Sequence, residues 1–410
     1  MNISTPGSPG ASFGTRLKRL RERQGMTREV LGGLVGKSGE WVKAVERDRL
    51  QMPKLDMLAR LGEALRLSDE GLAELTGNPS FPLRLLSGPG HPALPAVRDA
   101  VNAIPWVDGP AEPLAVLQAR LDAAWQARHA SPDHRTVLGA LLPSLIRDCR
   151  RAVGWYRGDD RRRAQAIMAG TWNLAQFFLA YQPDAALLWR VAERSIAAAQ
   201  ESDDARAIGG AVWLLAQAHR DQGEFDAAEM VNAQALELLG PRVADAGEHV
   251  GAIYGALLFE AAYTAARRGE RGNAWRFWDQ ADAIARRLPA GYYDPMTSFS
   301  RVIMGAHAVT VAVELRQGGE GLRQARQAAS LAIPSKPRRG RHLIELGRAY
   351  RHAGDQVSAL GALGAAYEAA PETIRWNGYA RAMTSEIAES GPLALRGEAR
   401  ALAGRIGILV

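Results

Sequence analysis

Apolar residues recur at the three- and four-residue spacing of amphipathic helices along most of this 410-residue chain. From Leu114 onward, Ala-rich segments with this period are separated by breaks that carry Gly, Pro or Asp, and no segment shows the alternating pattern of a strand. Residues 14–76 divide in the same way into five shorter helices. The sequence therefore predicts an all-α protein. Its length predicts more than one core, because single cores stop growing beyond about 250–300 residues.

Proline marks the predicted boundary between two helical regions. Eight of the 21 prolines lie between residues 77 and 113. Proline stiffens a chain and interrupts helices, so this composition indicates a linker. We predict four segments: a disordered tail at 1–13, a first domain at 14–76, a Pro-rich linker at 77–113 and a second domain at 114–410.

The second region contains a repeated pattern of small and large apolar residues. In residues 340–371 it consists of Leu343, Leu346, Gly347, Tyr350, Ala359, Leu363, Ala366 and Pro371. A second unit spans residues 209–241, and weaker units begin near Gly255 and Val302. These residue types and spacings resemble the tetratricopeptide repeat (TPR), which implies helix pairs stacked into an α-solenoid. An irregular helical bundle stays open as the alternative.

The first region contains the segment REVLGGLVGKSGEWVKAVER at residues 28–47. Its glycines include Gly32, Gly33 and Gly36. A basic helix precedes the segment and an apolar helix, residues 55–65, follows it. The arrangement resembles the helix-turn-helix of the Xre and phage-repressor family. That resemblance implies a five-helix, lambda-repressor-like DNA-binding domain. It places Gly36 in the turn between the two helices, where the backbone needs a left-handed conformation, and Gly32 where those helices touch.

Positive charge is concentrated in the same region. Between Arg16 and Lys54 there are eleven Lys and Arg residues against five Asp and Glu residues, an excess of six, whereas the whole chain carries a net charge of +7. Such a cluster favours a polyanionic partner. A solvated basic helix face is the alternative interpretation.

The resemblance places a recognition helix, residues 38–47, in the major groove of double-stranded DNA. It implies base contacts from Arg28, Ser38, Glu40 and Lys43 and phosphate contacts from Arg16, Lys37, Arg47 and Arg49. Several of these residues have a structural alternative. Ser38 would serve as a helix N-cap, and Glu40 would pair with Lys37 or Lys43.

In a TPR-like solenoid the first helix of each pair lines a concave groove. The residues at groove-facing positions are Trp213, Gln217, Arg220, Phe259, Tyr263, Arg341, Arg348 and Arg351. Aromatic side chains beside arginines suit a peptide or an acidic small molecule; ordinary packing and solvated arginines are the alternative. The whole layout resembles actinobacterial Xre-type regulators and, in architecture, Gram-positive quorum-sensing receptors.

Several classes of function are disfavoured. The single cysteine, Cys149, excludes an intramolecular disulfide and an all-cysteine metal site. No HExxH, P-loop or Gly-x-Ser-x-Gly motif occurs, so we expect neither catalysis nor a cofactor. No apolar run of about 18 residues predicts a membrane span, and the N-terminus does not have the pattern of a signal peptide. We expect a cytoplasmic, nucleoid-associated location.

Two functions fit these observations. The first is a transcriptional regulator that binds DNA as a homodimer and responds to a ligand, with a ligand-independent regulator as a variant. The second is a TPR adaptor in which DNA binding is secondary. The basic cluster favours the first.

Overall fold

The computed structural model describes residues 12–408 except 54, 66, 68, 78–89, 105–108, 223, 244–246 and 329–331. Most of the predicted disordered tail and parts of the predicted linker therefore lie outside the described residues. The described chain is helical and contains no strand.

The first five helices form a small domain of their own. They are α1 (Phe13–Arg23), α2 (Arg28–Leu34), α3 (Gly39–Glu46), α4 (Leu55–Ala64) and α5 (Asp69–Thr76). Leu17, Leu31 and Val42 are fully buried at its centre, together with leucines of α4 and α5. The helical spacing of these apolar residues gives each short helix one apolar face, and the helices assemble by burying those faces together.

The remaining helices form the helical domain, residues 90–408. They are α6 (Leu94–Asn102), α7 (Leu114–Ala130), α8 (His134–Trp155), α9 (Gly158–Leu179), α10 (Ala185–Ser202), α11 (Ala205–Gln222), α12 (Phe225–Leu239), α13 (Gly247–Arg268), α14 (Arg271–Arg287), α15 (Met304–Glu314), α16 (Gly318–Gln327), α17 (Lys336–His352), α18 (Gln356–Ala369), α19 (Pro371–Trp376), α20 (Gly378–Ser390) and α21 (Leu393–Arg405). Helix α6 lies within the predicted linker segment. Its Leu94, Val97 and Val101 are buried in the core of the helical domain.

Successive helices of this domain pack as neighbouring pairs. The pairs α11–α12, α13–α14, α15–α16 and α17–α18 overlap the four units predicted from the sequence pattern. The first helix of each pair also packs against the first helix of the next pair. Small residues permit this close approach: a Cβ on Gly209 of α11 would lie 2.3 Å from the Ile253 side chain of α13. The first helices therefore form one continuous layer.

A late helix of the helical domain packs against an early one. Glu372, at the start of α19, is buried against the first turn of α8. Its carboxylate accepts hydrogen bonds from the backbone N–H groups of Arg135 at 2.5 Å and Thr136 at 3.2 Å, and from the Thr136 hydroxyl at 2.6 Å. A carboxylate satisfies the unpaired N–H groups and complements the dipole of a helix N-terminus. Because α17 also contacts α7, the described helices curve into a ring.

The first domain docks onto this ring through the loop that follows α3. The Gln51 side-chain amide donates to the backbone carbonyls of Val313 at 2.9 Å and Glu314 at 3.0 Å. Arg316 donates to the Leu50 carbonyl at 2.8 Å, and Arg348 donates to the Gln51 side-chain oxygen. The loop is therefore held by α15, by Arg316 shortly after it, and by α17.

Candidate nucleic-acid interface and central cavity

Helices α2 and α3 are joined by a tight turn that two glycines make possible. Gly36 has φ of +72°, the left-handed conformation that the sequence predicted. A Cβ on Gly32 would lie 2.7 Å from the Lys37 carbonyl oxygen and 2.9 Å from the Ser38 carbonyl carbon. Both contacts are with backbone, so a larger residue would push the two helices apart.

The neighbouring pair Gly32 and Gly33 gives a matched test of this packing. A Cβ on the exposed Gly33 meets nothing within 4 Å. We expect Gly33→Ala to stabilise the first domain by about 1 kcal/mol through helix propensity alone. Gly32→Ala should instead destabilise it by about 1–3 kcal/mol through overpacking. Chemical denaturation of the full-length variants, followed by hydrogen exchange in α2 and α3, measures both. Equal effects at the two positions would contradict the close contact.

A buried ion cluster ties the three N-terminal helices together. The Glu46 side chain is 1% exposed and accepts from Arg21 Nε at 2.5 Å and from Arg28 Nε at 2.7 Å. Arg21 is itself buried and also donates to the Met26 carbonyl at 2.7 Å. This cluster fixes the end of α3 against α1 and the start of α2. Arg28, predicted to contact a base, therefore has part of its guanidinium committed to Glu46.

The other predicted base contacts lie together at the start of α3. Ser38 is exposed and caps the helix, accepting from the Trp41 N–H at 3.1 Å. A hydroxyl has one proton and two lone pairs, so the capping bond leaves capacity for a second partner. Lys43 donates to Glu40 at 2.8 Å, and Glu40 is 79% exposed. Exposed ion pairs of this kind contribute little stability and exchange partners readily.

The predicted phosphate contacts fall into different environments. Arg47 and Arg49 are exposed beyond the end of α3. Arg16 instead donates to the carbonyls of Leu75 at 3.0 Å and Thr76 at 2.9 Å, which caps the C-terminus of α5. Lys37 is partly buried in the turn before α3. Of the four, Arg47 and Arg49 are the most accessible to a DNA backbone.

Comparison with family profiles identifies this region. The profile described as "Helix-turn-helix domain" matches residues 12–75, the same span as helices α1–α5. Residues 12–75 are a helix-turn-helix DNA-binding domain. Comparison with curated proteins finds none with significant similarity to the chain.

The helix-turn-helix domain faces a cavity of about 870 Å³ at the centre of the ring. Met52 and Pro53, from its docking loop, line this cavity together with residues of the helical domain. Five of the eight predicted groove residues also line it: Gln217, Arg220, Phe259, Tyr263 and Arg341.

The other three predicted groove residues lie elsewhere. Trp213 is buried in the core, and Arg351 pairs with Glu386 at 2.6 Å on an exposed surface. Arg348 is buried, donating to Glu314 and Glu345 at 2.7 Å each. Arg348 therefore joins the docking loop to the helical domain rather than facing the cavity.

Sequence reasoning missed five further arginines of the cavity wall: Arg128, Arg135, Arg338, Arg375 and Arg381. A signal for Arg128 was present in α7. Its buried residues Leu117, Leu121, Ala124 and Trp125 form a helical stripe that Arg128 continues. An arginine on the apolar face of a helix is unusual because burying its charge is costly.

Other kinds of site find no support within the part of the chain that the structure describes. No group of three or more His, Cys, Asp or Glu side chains there is arranged to hold a metal ion. None of the described helices combines the length and apolar character that spanning a membrane requires.

Proposed function

We propose that this protein is a sequence-specific transcriptional regulator of the Xre type that binds DNA as a homodimer. The observation that carries the proposal is the contrast within α3. Its buried side, with Val42, Val45 and Glu46, is fixed to α1 and α2, whereas Ser38 and Glu40 are exposed at its N-terminal end. A rigid helix that presents polar side chains outward from its first turn suits the major groove.

The docked arrangement supports this function. The hydrogen bonds to the ring are made by Leu50 and Gln51, which follow α3, whereas Ser38 and Glu40 are exposed. Docking therefore leaves the predicted reading surface accessible. It also gives the DNA-binding domain a defined orientation, which a flexible tether would not provide.

Two substitutions distinguish a base contact from a phosphate contact. Lys43→Ala should change sequence preference, with a loss of about 1–3 kcal/mol at the preferred site if Lys43 contacts a base edge. Arg47→Ala should weaken binding to all sequences alike, because a phosphate contact carries no sequence information. It should also make the slope of log K against log salt concentration shallower by about 1. Binding to a randomised DNA pool, sequenced after selection, distinguishes the two. An equal loss of affinity for all sequences in both variants would show that Lys43 does not contact a base.

The salt dependence of wild-type binding tests the proposal itself. A dimer making about four to eight phosphate contacts should give a slope of log K against log salt of roughly −4 to −7. Light scattering should show two chains per DNA duplex, because one small domain buries too little surface for high specificity. Salt-independent affinity, or a single chain on a selected DNA site, would contradict the proposal.

We also propose that the helical domain is a TPR-like solenoid that dimerises and senses a small-molecule or peptide signal. The packing of the four first helices, α11, α13, α15 and α17, into one layer supports a solenoid, since each repeat then contacts its neighbours. The cavity shared with Met52 and Pro53 supports sensing, because an occupant would contact both domains at once. Coupling of about 1–3 kcal/mol would suffice to switch DNA binding.

A further inference from the structure

The cavity wall carries positive charge that its own carboxylates do not balance. Among the described residues, seven arginines line it, against two aspartates, Asp184 and Asp221. Asp184 pairs with Arg98 at 2.9 Å, and Asp221 pairs with Arg220 at 3.3 Å. Three of these arginines are hereafter called the arginine cluster: Arg128, Arg135 and Arg338.

Within the described part of the chain, no carboxylate forms an ion pair with the arginine cluster. Burial lowers the pKa of Arg135 to about 10, and the nearby Glu372 carboxylate partly opposes that shift. Arg338 donates to the Thr297 carbonyl at 2.9 Å, and Arg135 donates to the Ala180 carbonyl at 3.0 Å. Arg128 contacts His129 Nδ1 at 3.3 Å, and its Nε is buried without a described hydrogen-bond partner. Water can satisfy such N–H groups but does not neutralise the charge. Arg128 and Arg135 are only 5% and 4% exposed, so burying their charges is costly.

Burial and the charges of the arginine cluster together lower the pKa values of groups around the cavity. Burial, and then the neighbouring Arg338, lower the pKa of Arg128 to about 9, which still leaves it charged at neutral pH. Burial, and then Arg135 and Arg128, hold the pKa of His134 well below its ordinary value. Burial and Arg338 do the same for the pKa of His307. The histidines are therefore neutral, and the arginine cluster dominates the local charge.

Flat apolar surfaces adjoin the arginine cluster. Arg128 lies 4.0 Å from the centre of the Phe177 ring. Phe259 is stacked on His307, with ring centres 3.5 Å apart, and both residues line the cavity. A volume of about 870 Å³ is within the usual range of about 300–1,000 Å³ for small-molecule sites.

We infer that the cavity binds a small organic anion, whose carboxylate, sulfonate or phosphate contacts the arginine cluster and whose flat apolar body packs on Phe177 and Phe259. The inference rests on the proposed function in naming the class of signal that the helical domain senses. Met52 and Pro53 form part of the same wall, so the occupant lies directly beneath the loop that follows the recognition helix. This placement gives the ligand a short route to the DNA-binding domain.

Two fluorescent probes that differ mainly in charge test the inference. The first is 8-anilinonaphthalene-1-sulfonate, and the second is N-phenyl-1-naphthylamine, which has the same aromatic body without the sulfonate. We expect full-length protein to bind the sulfonate at least tenfold more tightly, and inorganic pyrophosphate to displace it. Equal affinities, or no displacement by pyrophosphate, would overturn the inference without any variant being needed.

Substitutions then locate the site. Arg128→Met and Arg338→Met should each weaken sulfonate binding at least tenfold while leaving the neutral probe unaffected. Arg163→Met, at a side chain that is 75% exposed, is the matched control and should change neither. Arg128→Met should also raise the melting temperature of the free protein, because it removes a buried charge that lacks a counter-ion. A lower melting temperature with unchanged probe binding would make Arg128 a structural residue and refute the site.

The probe titrations contain no DNA, so their outcome does not depend on whether the protein binds DNA. Lost probe selectivity with intact, salt-dependent DNA binding would reject the anion site alone. Probe selectivity in a protein that does not bind DNA would keep the site and reject the regulator.

Discussion

Alanine in place of Glu46 is expected to unfold the helix-turn-helix domain within the full-length protein. The substitution leaves Arg21 buried, with its side chain 7% exposed and without its principal counter-ion. Removing one partner of a buried ion pair costs about 3–5 kcal/mol. Domains of this size rarely have more than about 3–5 kcal/mol from a single core. The loss is therefore comparable with the whole stability of the domain.

Hydrogen exchange resolves this effect from the rest of the molecule. Amides in α1–α3 should lose their protection in Glu46→Ala, whereas amides in α9 and α13 should keep theirs, and DNA binding should fall with the protection. Glu22→Ala is the control, because Glu22 contacts the same arginine at 3.4 Å but is 54% exposed. Exposed pairs contribute about 0–1 kcal/mol. If both variants behaved alike, burial would not be the source of the effect.

The helix-turn-helix domain was predictable because its signals are local. Gly32 and Gly36 lie within one twenty-residue segment, and the contacts that require glycine are made by residues at most six positions away. Arg16 shows the limit of such reasoning. Its partners, the carbonyls of Leu75 and Thr76, lie about 60 residues further along the chain, so a basic residue in a basic helix was predicted to contact phosphate.

The central cavity was beyond sequence reasoning for a similar cause. It depends on ring closure, in which Glu372 caps α8 across 236 residues of sequence. Closure brings Arg128 of α7 and Arg338 of α17 to one wall. Repeat spacing predicts which helices pair, but it does not specify the curvature that brings distant helices together. The predicted groove therefore included five cavity residues and missed the arginine cluster.

The largest effect in the helical domain is expected at Glu314. Its side chain is 0% exposed and lies 2.7 Å from Arg348 and 3.7 Å from Arg267. Burial alone would raise the pKa of Glu314, but Arg348 and Arg267 outweigh burial and lower it to about 2. Glu314→Gln should destabilise the domain by about 3–5 kcal/mol, because two buried guanidinium groups lose a shared counter-ion.

The pH dependence of that loss has a definite sign. A carboxyl whose pKa falls from 4.5 to about 2 on folding contributes stability that is complete above pH 4.5 and disappears as the pH falls towards 2. The shift corresponds to about 3 kcal/mol. The stability difference between wild type and Glu314→Gln should therefore be constant above pH 4.5 and shrink below it. A difference that stayed constant to pH 2 would show that the carboxylate charge is not involved.

Glu386→Gln, in α20, provides the matched control, because Glu386 pairs with an arginine of α17. Its partner Arg351 lies one turn beyond Arg348, and the pair is 49% and 41% exposed. We expect a cost of at most about 1 kcal/mol. Of these two glutamates, Glu314 is the one connected to the docking loop. Its partner Arg348 donates to the Gln51 side chain, and the Gln51 side chain donates to the Glu314 backbone carbonyl. Glu314→Gln should therefore increase hydrogen exchange in residues 47–53, and Glu386→Gln should not. Unchanged exchange in both variants would mean that the buried cluster stabilises the ring without holding the DNA-binding domain in place.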